Sequence, residues 1–410
     1  MKKFGDMTRA VVLASLAWSG IASADVVTDW NAIILASTGP GRPGPVAFHD
    51  MAVAHLAMHD AIQSYERRFE PYYVQVKGPQ GSKRAAAATA AYRVLVTFYP
   101  TQAATLDAAY ATWLADNGLT GNAGIATGEA VAERYVGIRR ADPNPPLAPF
   151  LGGTNPGEWR PTAPAFAPMA FEQQAYFVPF ALTGPARFRA PPPPALTSDE
   201  YTANYNEVKE KGALTGSTRT PAETDIAWFW TDNPAAIWYR GIKSIVDAHE
   251  PNTGNRARLY ALATMSVSSA ITTAWDSKRL YNLWRPETAI HEGDNDTNPD
   301  TVGDTAWQPF IVTPPYPDYT SGANSVSGAI TKSLELFFGR DDIPITLTST
   351  AAAAIKKART FPSFSAASQQ VVTVRVLQGI HFRFADVEAR KAARKVAEHA
   401  YDNYLRPVVN

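Results

Sequence analysis

No cysteine occurs in the 410 residues. Thiolate metal centres, cysteine nucleophiles and disulfide frameworks are therefore excluded, and a chain of this length has to rely on a large apolar core. An excess of charge is missing as well: 38 Lys and Arg stand against 38 Asp and Glu. Such a balance gives no footprint for nucleic acid or an anionic membrane surface. Beyond the first 24 residues no stretch approaches the roughly 18 consecutive apolar residues that suggest a membrane span. Histidine is scarce, with seven in all, so each one needs a reason.

The first 24 residues have the form of a secretory leader. Lys2, Lys3 and Arg9 make a basic start, Ala10 to Trp18 an apolar core, and Ala22-Ser23-Ala24 a small-residue cleavage site. Cleavage after Ala24 would place the protein in the periplasm or outside the cell. It would take the basic count from 38 to 35 and the acidic count from 38 to 37. The remainder divides by composition into an N-terminal helical region with a Pro-rich arm, residues 25–196, and a C-terminal helical region, residues 197–410.

The stretches Val46 to Glu66, Lys83 to Tyr99, Gln102 to Asp116 and Ala123 to Arg140 are rich in alanine with helical apolar spacing. In the first of them His55 and His59 have the i,i+4 spacing of a zinc helix. The metalloprotease glutamate is absent and the surroundings are alanines, which favours core histidines. From Asp142 to Leu196 the composition turns to Pro, Gly and aromatics, ending in Arg187-Phe-Arg-Ala-Pro-Pro-Pro-Pro194. Proline cannot enter a helix interior, so this segment reads as an ordered extended arm between helical halves. Capping boxes at Thr197–Glu200 and Thr220–Glu223 reopen the helices, followed by Asn233 to Glu250 and Asn255 to Trp284. Asp294, Asp296 and Asn298 have calcium-loop spacing, but Pro299 and Thr305 replace the required glycine and glutamate, which favours a solvated acidic loop. The fold class is all-α.

Three motifs carry chemistry. Lys278 and Arg285 are seven residues apart, about 20° around one helix, with Arg285 placed before Pro286 at a helix end. The pair reads either as two solvated charges or as a lysine and a guanidinium converging on a tetrahedral oxyanion. Ser321 and the amides of Gly322 and Ala323 open a helix from about Asn324 to Phe338, as an ordinary cap or as an anion site. In Arg375-Val-Leu-Gln-Gly-Ile-His381, Gly379 ends a helix and lets His381 turn back towards the arginine. Asp386 would then cap a final helix to about Leu405. His291, six residues beyond Arg285, could reach the same pocket.

In order, Lys278-x6-Arg285-Pro286, Ser321-Gly322 and Arg375-x5-His381 resemble the tripartite signature of the vanadium-dependent haloperoxidase and type 2 phosphatidic acid phosphatase superfamily. The early Trp30-Asn31, the His-rich alanine helix and the Phe-Arg-Ala-Pro tract resemble its soluble bacterial haloperoxidase-like branch, over about residues 26 to 406. The resemblance implies an all-helical pair of bundles in which Lys278, Arg285 and Arg375 neutralise the oxygens of vanadate, or of phosphate in its place. Ser321 and the Gly322 amide would add hydrogen bonds. His381 would be the vanadium ligand of a peroxidase using peroxide and halide, or the nucleophile of a phosphoester hydrolase; a non-catalytic oxyanion binder is the third reading. The chain departs from the family pattern at Ala323, where an acid-base histidine is usual, at Val374 in place of serine, and at Ala385, with Asp386 one place late. His291 is the candidate replacement acid.

Overall fold

The longest helical stretch of the sequence becomes the central rod of the fold, seen in a computed structural model that describes residues 25–41, 44–139 and 149–409. The expected leader lies outside these residues. Helix α9 (Thr253–Tyr281) starts at Asn252, whose side chain accepts from the Asn255 amide, and every residue from Arg256 to Trp275 is buried. A helix covered on all sides must satisfy its own hydroxyls. Thr264, Thr272 and Ser277 do so by donating to carbonyls one turn back.

Small residues let the N-terminal helices approach closely. Helices α2 (Pro45–Glu66), α3 (Lys83–Phe98), α4 (Ala103–Asp116) and α5 (Gly124–Arg139) follow the four alanine-rich stretches, and helix α1 (Val26–Gly41), which lies outside them, precedes these four. Where α5 crosses α3, a Cβ on Gly128 would collide with the Ala86 carbonyl. Helix α2 lies along α9: His49 Nδ1 is 2.6 Å from Ser268 Oγ, and the His55 ring stacks on Tyr260 at 4.9 Å. His55 and His59 are core residues as expected, both essentially fully buried.

The first residues of the expected arm, 142–148, lie outside the described residues; from 149 to 198 it carries only two short 3-10 turns, Glu172–Tyr176 and Pro185–Phe188. Its carbonyls receive donors from the helical body. Trp275 Nε1 reaches Ala170 O, Tyr281 Oη reaches Ala190 O and Tyr319 Oη reaches Pro191 O, while Arg189 pairs with Asp276 through two bonds.

Helices α6 (Asp199–Gly212), α7 (Pro221–Phe229), α8 (Pro234–His249), α10 (Pro286–His291) and α11 (Gly322–Phe338) precede a hairpin of β1 (Ile345–Thr348) and β2 (Ala358–Phe361). The two strands pair antiparallel, with Ile345 opposite Phe361 and Ile345 and Leu347 turned inward. Helices α12 (Phe364–Leu377) and α13 (Arg383–Asn403) complete the described chain. One buried cluster runs from Val26 to Leu405, joined by a smaller one around Tyr201, Trp284 and Phe382.

Several local expectations need correction. The box at Thr220 and Glu223 forms with both bonds, but at the preceding helix the cap is Ser198, which accepts from the Tyr201 amide. The acidic loop is solvated at Asp294 and Asp300, as expected, but not at Asp296, which is buried and accepts from the Asn298 amide and the Thr301 hydroxyl. Helix α13 starts at Arg383, ahead of Asp386, with Phe382 at the cap. Asp386 is thereby left inside the first turn, pointing elsewhere.

Burial alone lowers His55 to about 3, and both ring nitrogens lack partners. Below the ordinary imidazole value near 6.5 the unfolded chain takes up a proton that the folded chain refuses, so folding stability falls as pH falls through that window. His55→Phe should flatten the acid limb of denaturant midpoint against pH between about 6.5 and 4. An unchanged slope would show that the burial of this ring does not cause the acid sensitivity.

Candidate functional site

Lys278 and Arg285 do not share a helix. Helix α9 stops at Asn282, whose left-handed conformation (φ 47°) turns the chain. The next residues pair with the arm through Trp284 N to Gly157 O, 2.9 Å, while Trp284 Nε1 is 3.0 Å from Tyr201 Oη. Arg285 follows in extended conformation, with Pro286 opening α10 directly after it. The helical spacing therefore fails as a reason, yet both cations turn inward and are fully buried.

They are gripped from below by one proline-rich segment. Lys278 Nζ donates to the carbonyls of Pro317 and Asp318, at 2.7 and 2.9 Å. Arg285 Nε donates to Tyr316 O at 2.7 Å, and Nη1 donates to Ile380 O at 2.6 Å. The Tyr316 ring lies 5.0 Å from Lys278 Nζ and 4.8 Å from Arg285 Cζ, a favourable face for a cation.

The second motif enters at the head of α11. Ser321 is at the cap position but its side chain makes no capping bond, so the ordinary-cap reading does not apply. Its hydroxyl oxygen lies 3.4 Å from Asn324 Nδ2, which also donates to Asp386 Oδ1 at 2.8 Å. A Cβ on Gly322 would come within 3.1 Å of the Trp275 ring, a close approach that favours glycine.

The third motif turns as the sequence predicts. Gly379 has φ +76°, and a Cβ there would collide with the Gly212 carbonyl, which leaves glycine as the residue that fits. Ile380 N closes the helix end on Arg375 O at 3.3 Å, and His381 folds back beneath Arg285. Arg375 Nη1 is held by Gln378 Oε1 at 2.6 Å, and Gln378 is anchored in turn on Ala227 O.

His381 Nε2 is 3.2 Å from Arg285 Nη1, and its Nδ1 is 2.7 Å from Asp318 Oδ1. A proton on Nδ1 facing the carboxylate leaves the Nε2 lone pair free to accept, the tautomer that a ligand atom or nucleophile needs. The Asp318 contact is close but poorly aligned, since neither carboxylate oxygen makes a well-formed hydrogen bond. Burial, then Arg285, Lys278 and Arg375, hold His381 well below the imidazole range, so it is neutral. Burial also pushes Asp318 up to about 7, against the pull of Arg285 and Lys278. Asp386 is raised well above the carboxylate range by burial, and Lys278 is lowered by burial and by Arg285.

Three cations thus face two carboxylic groups whose ionisation burial resists. Arg285 Nη2 and Arg375 Nε have no hydrogen-bond partner. Arg375, Gly322, Ala323, Tyr316 and Trp275 line a cavity of about 320 Å³, with Lys278, Arg285, Ser321 and His381 buried behind that wall. His291 is not brought to this cluster: its Nε2 donates to Trp307 O at 2.7 Å. Among the described residues, no group of three or more His, Asp or Glu is placed to hold a metal ion through those side chains alone. Sequence reasoning missed Asp318, three residues before Ser321 in Tyr316-Pro-Asp-Tyr. An acidic residue in a proline-rich approach was visible, but its full burial against two cations was not.

Residues 258–410 match the VCPO second helical-bundle domain. The vanadium chloroperoxidase of Curvularia inaequalis is 23% identical over 227 residues, 45% of this chain and 37% of that protein; the matched part thus spans little more than a third of that relative. Among solved structures, the first bacterial vanadium-dependent iodoperoxidase superposes with a TM-score of 0.76 at 24% identity, covering 94% of this chain and 96% of that one. A holo-type bacterial vanadium-dependent chloroperoxidase gives 0.71 at 17% identity, covering 90% and 94%. The chain has the helical fold of the vanadium haloperoxidases, and the match to the VCPO second helical-bundle domain is confined to its C-terminal residues 258–410.

Asp318 is the carboxylate nearest Arg285, at 3.5 Å from Nη1. Removing a charge-bearing partner from such a pair should cost about 2 kcal/mol at pH 8, where the acid is ionised. Asp318→Asn is therefore expected to lower the melting temperature in phosphate-free buffer, and added phosphate should recover part of the loss. Equal melting temperatures at pH 8 would mean that Asp318 does not offset these cations.

Proposed function

We propose that the protein is an exported haloperoxidase-like enzyme that holds vanadate on Lys278, Arg285, Arg375, Ser321 and the Gly322 amide, with His381 as the vanadium ligand, and uses hydrogen peroxide to oxidise a halide or an organic substrate. The observation that carries this reading is the set of buried guanidinium nitrogens without partners, Arg285 Nη2 and Arg375 Nε, beside a neutral imidazole. Buried cations need an anion, and a tetrahedral oxyanion offers several acceptors at once. The donor set fits vanadate: hard oxygens for the cations, and a neutral imidazole nitrogen for the metal. When bound, vanadate supplies a Lewis acid that activates peroxide. The protein's part is to neutralise negative charge, to keep His381 neutral, and to fix its ring between Arg285 and Asp318.

Proton delivery is the weak point. Ala323 cannot donate a proton, and His291 is engaged at Trp307. General acid-base groups contribute ~10² to 10⁴-fold in rate, so the wild type should be slow and Ala323→His should raise bromide oxidation by a comparable factor. The assay is vanadate-loaded protein with bromide and peroxide from pH 4 to 8. Absence of turnover in both proteins would rule out the peroxidase.

Phosphoester hydrolysis through His381 is the second reading, favoured by the Asp318 contact that orients Nδ1 towards the carboxylate. An aryl phosphate should then leave a trappable phosphohistidine, and its absence would discard this reading. Inorganic phosphate binding, measured by calorimetry, is expected in either case and should weaken at least about tenfold in Arg375→Ala. Equal affinity in both proteins would exclude Arg375 from the site.

A further inference from the structure

Of the oxyanion groups, Arg375 and Gly322 reach the cavity above them. One side of its wall is apolar: Phe48 from α2, Ile271 and Trp275 from α9, Ala323 and Val326 from α11, closing on Arg375, while Thr38, Thr231, Asp232 and Asn233 also line the cavity. Among the described residues on that lining the one carboxylate, Asp232, is already held by Arg240 at 2.8 Å and by the Thr350 amide at 2.7 Å. It therefore offers no free charge to a ligand. Peroxide and halide are small and polar and need no apolar chamber. At about 320 Å³ the space exceeds the roughly 150 Å³ in which an apolar protein cavity holds benzene.

Resting on the oxyanion reading above, we propose that this cavity is an organic-substrate subsite, which binds a neutral molecule with an aromatic or branched apolar group directly against the oxyanion. Ala323 is the specificity-determining position. Its methyl group carries the apolar wall up to Gly322 and Arg375, where a histidine would place a polar ring across the passage. The same substitution that weakens proton delivery thus joins the apolar chamber to the anion site. Desolvation of the apolar group supplies the affinity, and the walls on three helices set its shape.

Phosphonates test this in the full-length protein, because the phosphonate head stands in for vanadate and its substituent for the organic substrate. Calorimetry should show phenylphosphonate binding about tenfold or more tighter than methylphosphonate. Ala236, half-buried on α8 at the cavity lining, is not among the oxyanion groups. Ala236→Trp should abolish the phenyl advantage and leave inorganic phosphate affinity unchanged, which also reports that the variant is folded. Phe48→Ala, which thins the opposite wall, should reduce the advantage in the same way. If phosphate binds the wild type but phenylphosphonate is no tighter than methylphosphonate, the subsite is refuted and the oxyanion reading stands. A phenyl advantage that survives in both variants would place the ring elsewhere and equally refute it. If phosphate itself does not bind the wild type, the oxyanion reading fails and the subsite falls with it.

Discussion

Cationic groups held out of water without enough anions to answer them are the constraint on which the C-terminal half depends. Lys278 and Arg285 are fully buried, and Arg375 lines the cavity beside them. Backbone carbonyls from Tyr316, Pro317, Asp318 and Ile380 take most of their donors. Carbonyls satisfy hydrogen bonds but cannot cancel net charge, and Asp318, raised to about 7 by burial, does so only in part. The surrounding structure spends rigid elements on holding this arrangement: a proline-rich approach, a helix broken at Asn282, and a glycine at 379 where another residue would collide. A region built so stiffly around uncompensated charge is preorganised for an anion.

The helical architecture was largely legible from the chain. Alanine-rich periodicity located α2 to α5 to within a residue or two but not α1, and Gly379 marked a helix end, where its positive φ favours glycine. The extended arm followed from its prolines. The β1–β2 hairpin escaped because each strand has four residues, too short for alternation to stand out. Asp296 was taken as solvated because its neighbours are acidic and polar, whereas the loop folds back so that Thr301 and Asn298 satisfy the carboxylate in the interior.

The site was legible in part, and for mixed reasons. Arg375, Gly379 and His381 converge by the local logic of a glycine-terminated helix. Lys278 and Arg285 were placed together by helical arithmetic that does not hold, since the helix ends between them. Their convergence depends on Leu283 and Trp284 anchoring against the arm and α6, contacts remote in sequence. Asp318 was missed for the same reason, because its burial is decided by His381 and Arg285 arriving from elsewhere. His291, nearby in sequence, turns to Trp307 because α10 carries it away from the cations.

The central claim is that Lys278, Arg285, Arg375 and His381 together enclose one tetrahedral oxyanion. A crystal structure of the protein soaked in orthovanadate tests it most directly. The account predicts density for one tetrahedral or trigonal-bipyramidal group against the partnerless nitrogens of Arg285 and Arg375, with His381 Nε2 as its nearest protein nitrogen. A fully soaked crystal with vanadate elsewhere, or with Arg285 still covering His381 Nε2 and no anion beside it, would contradict it.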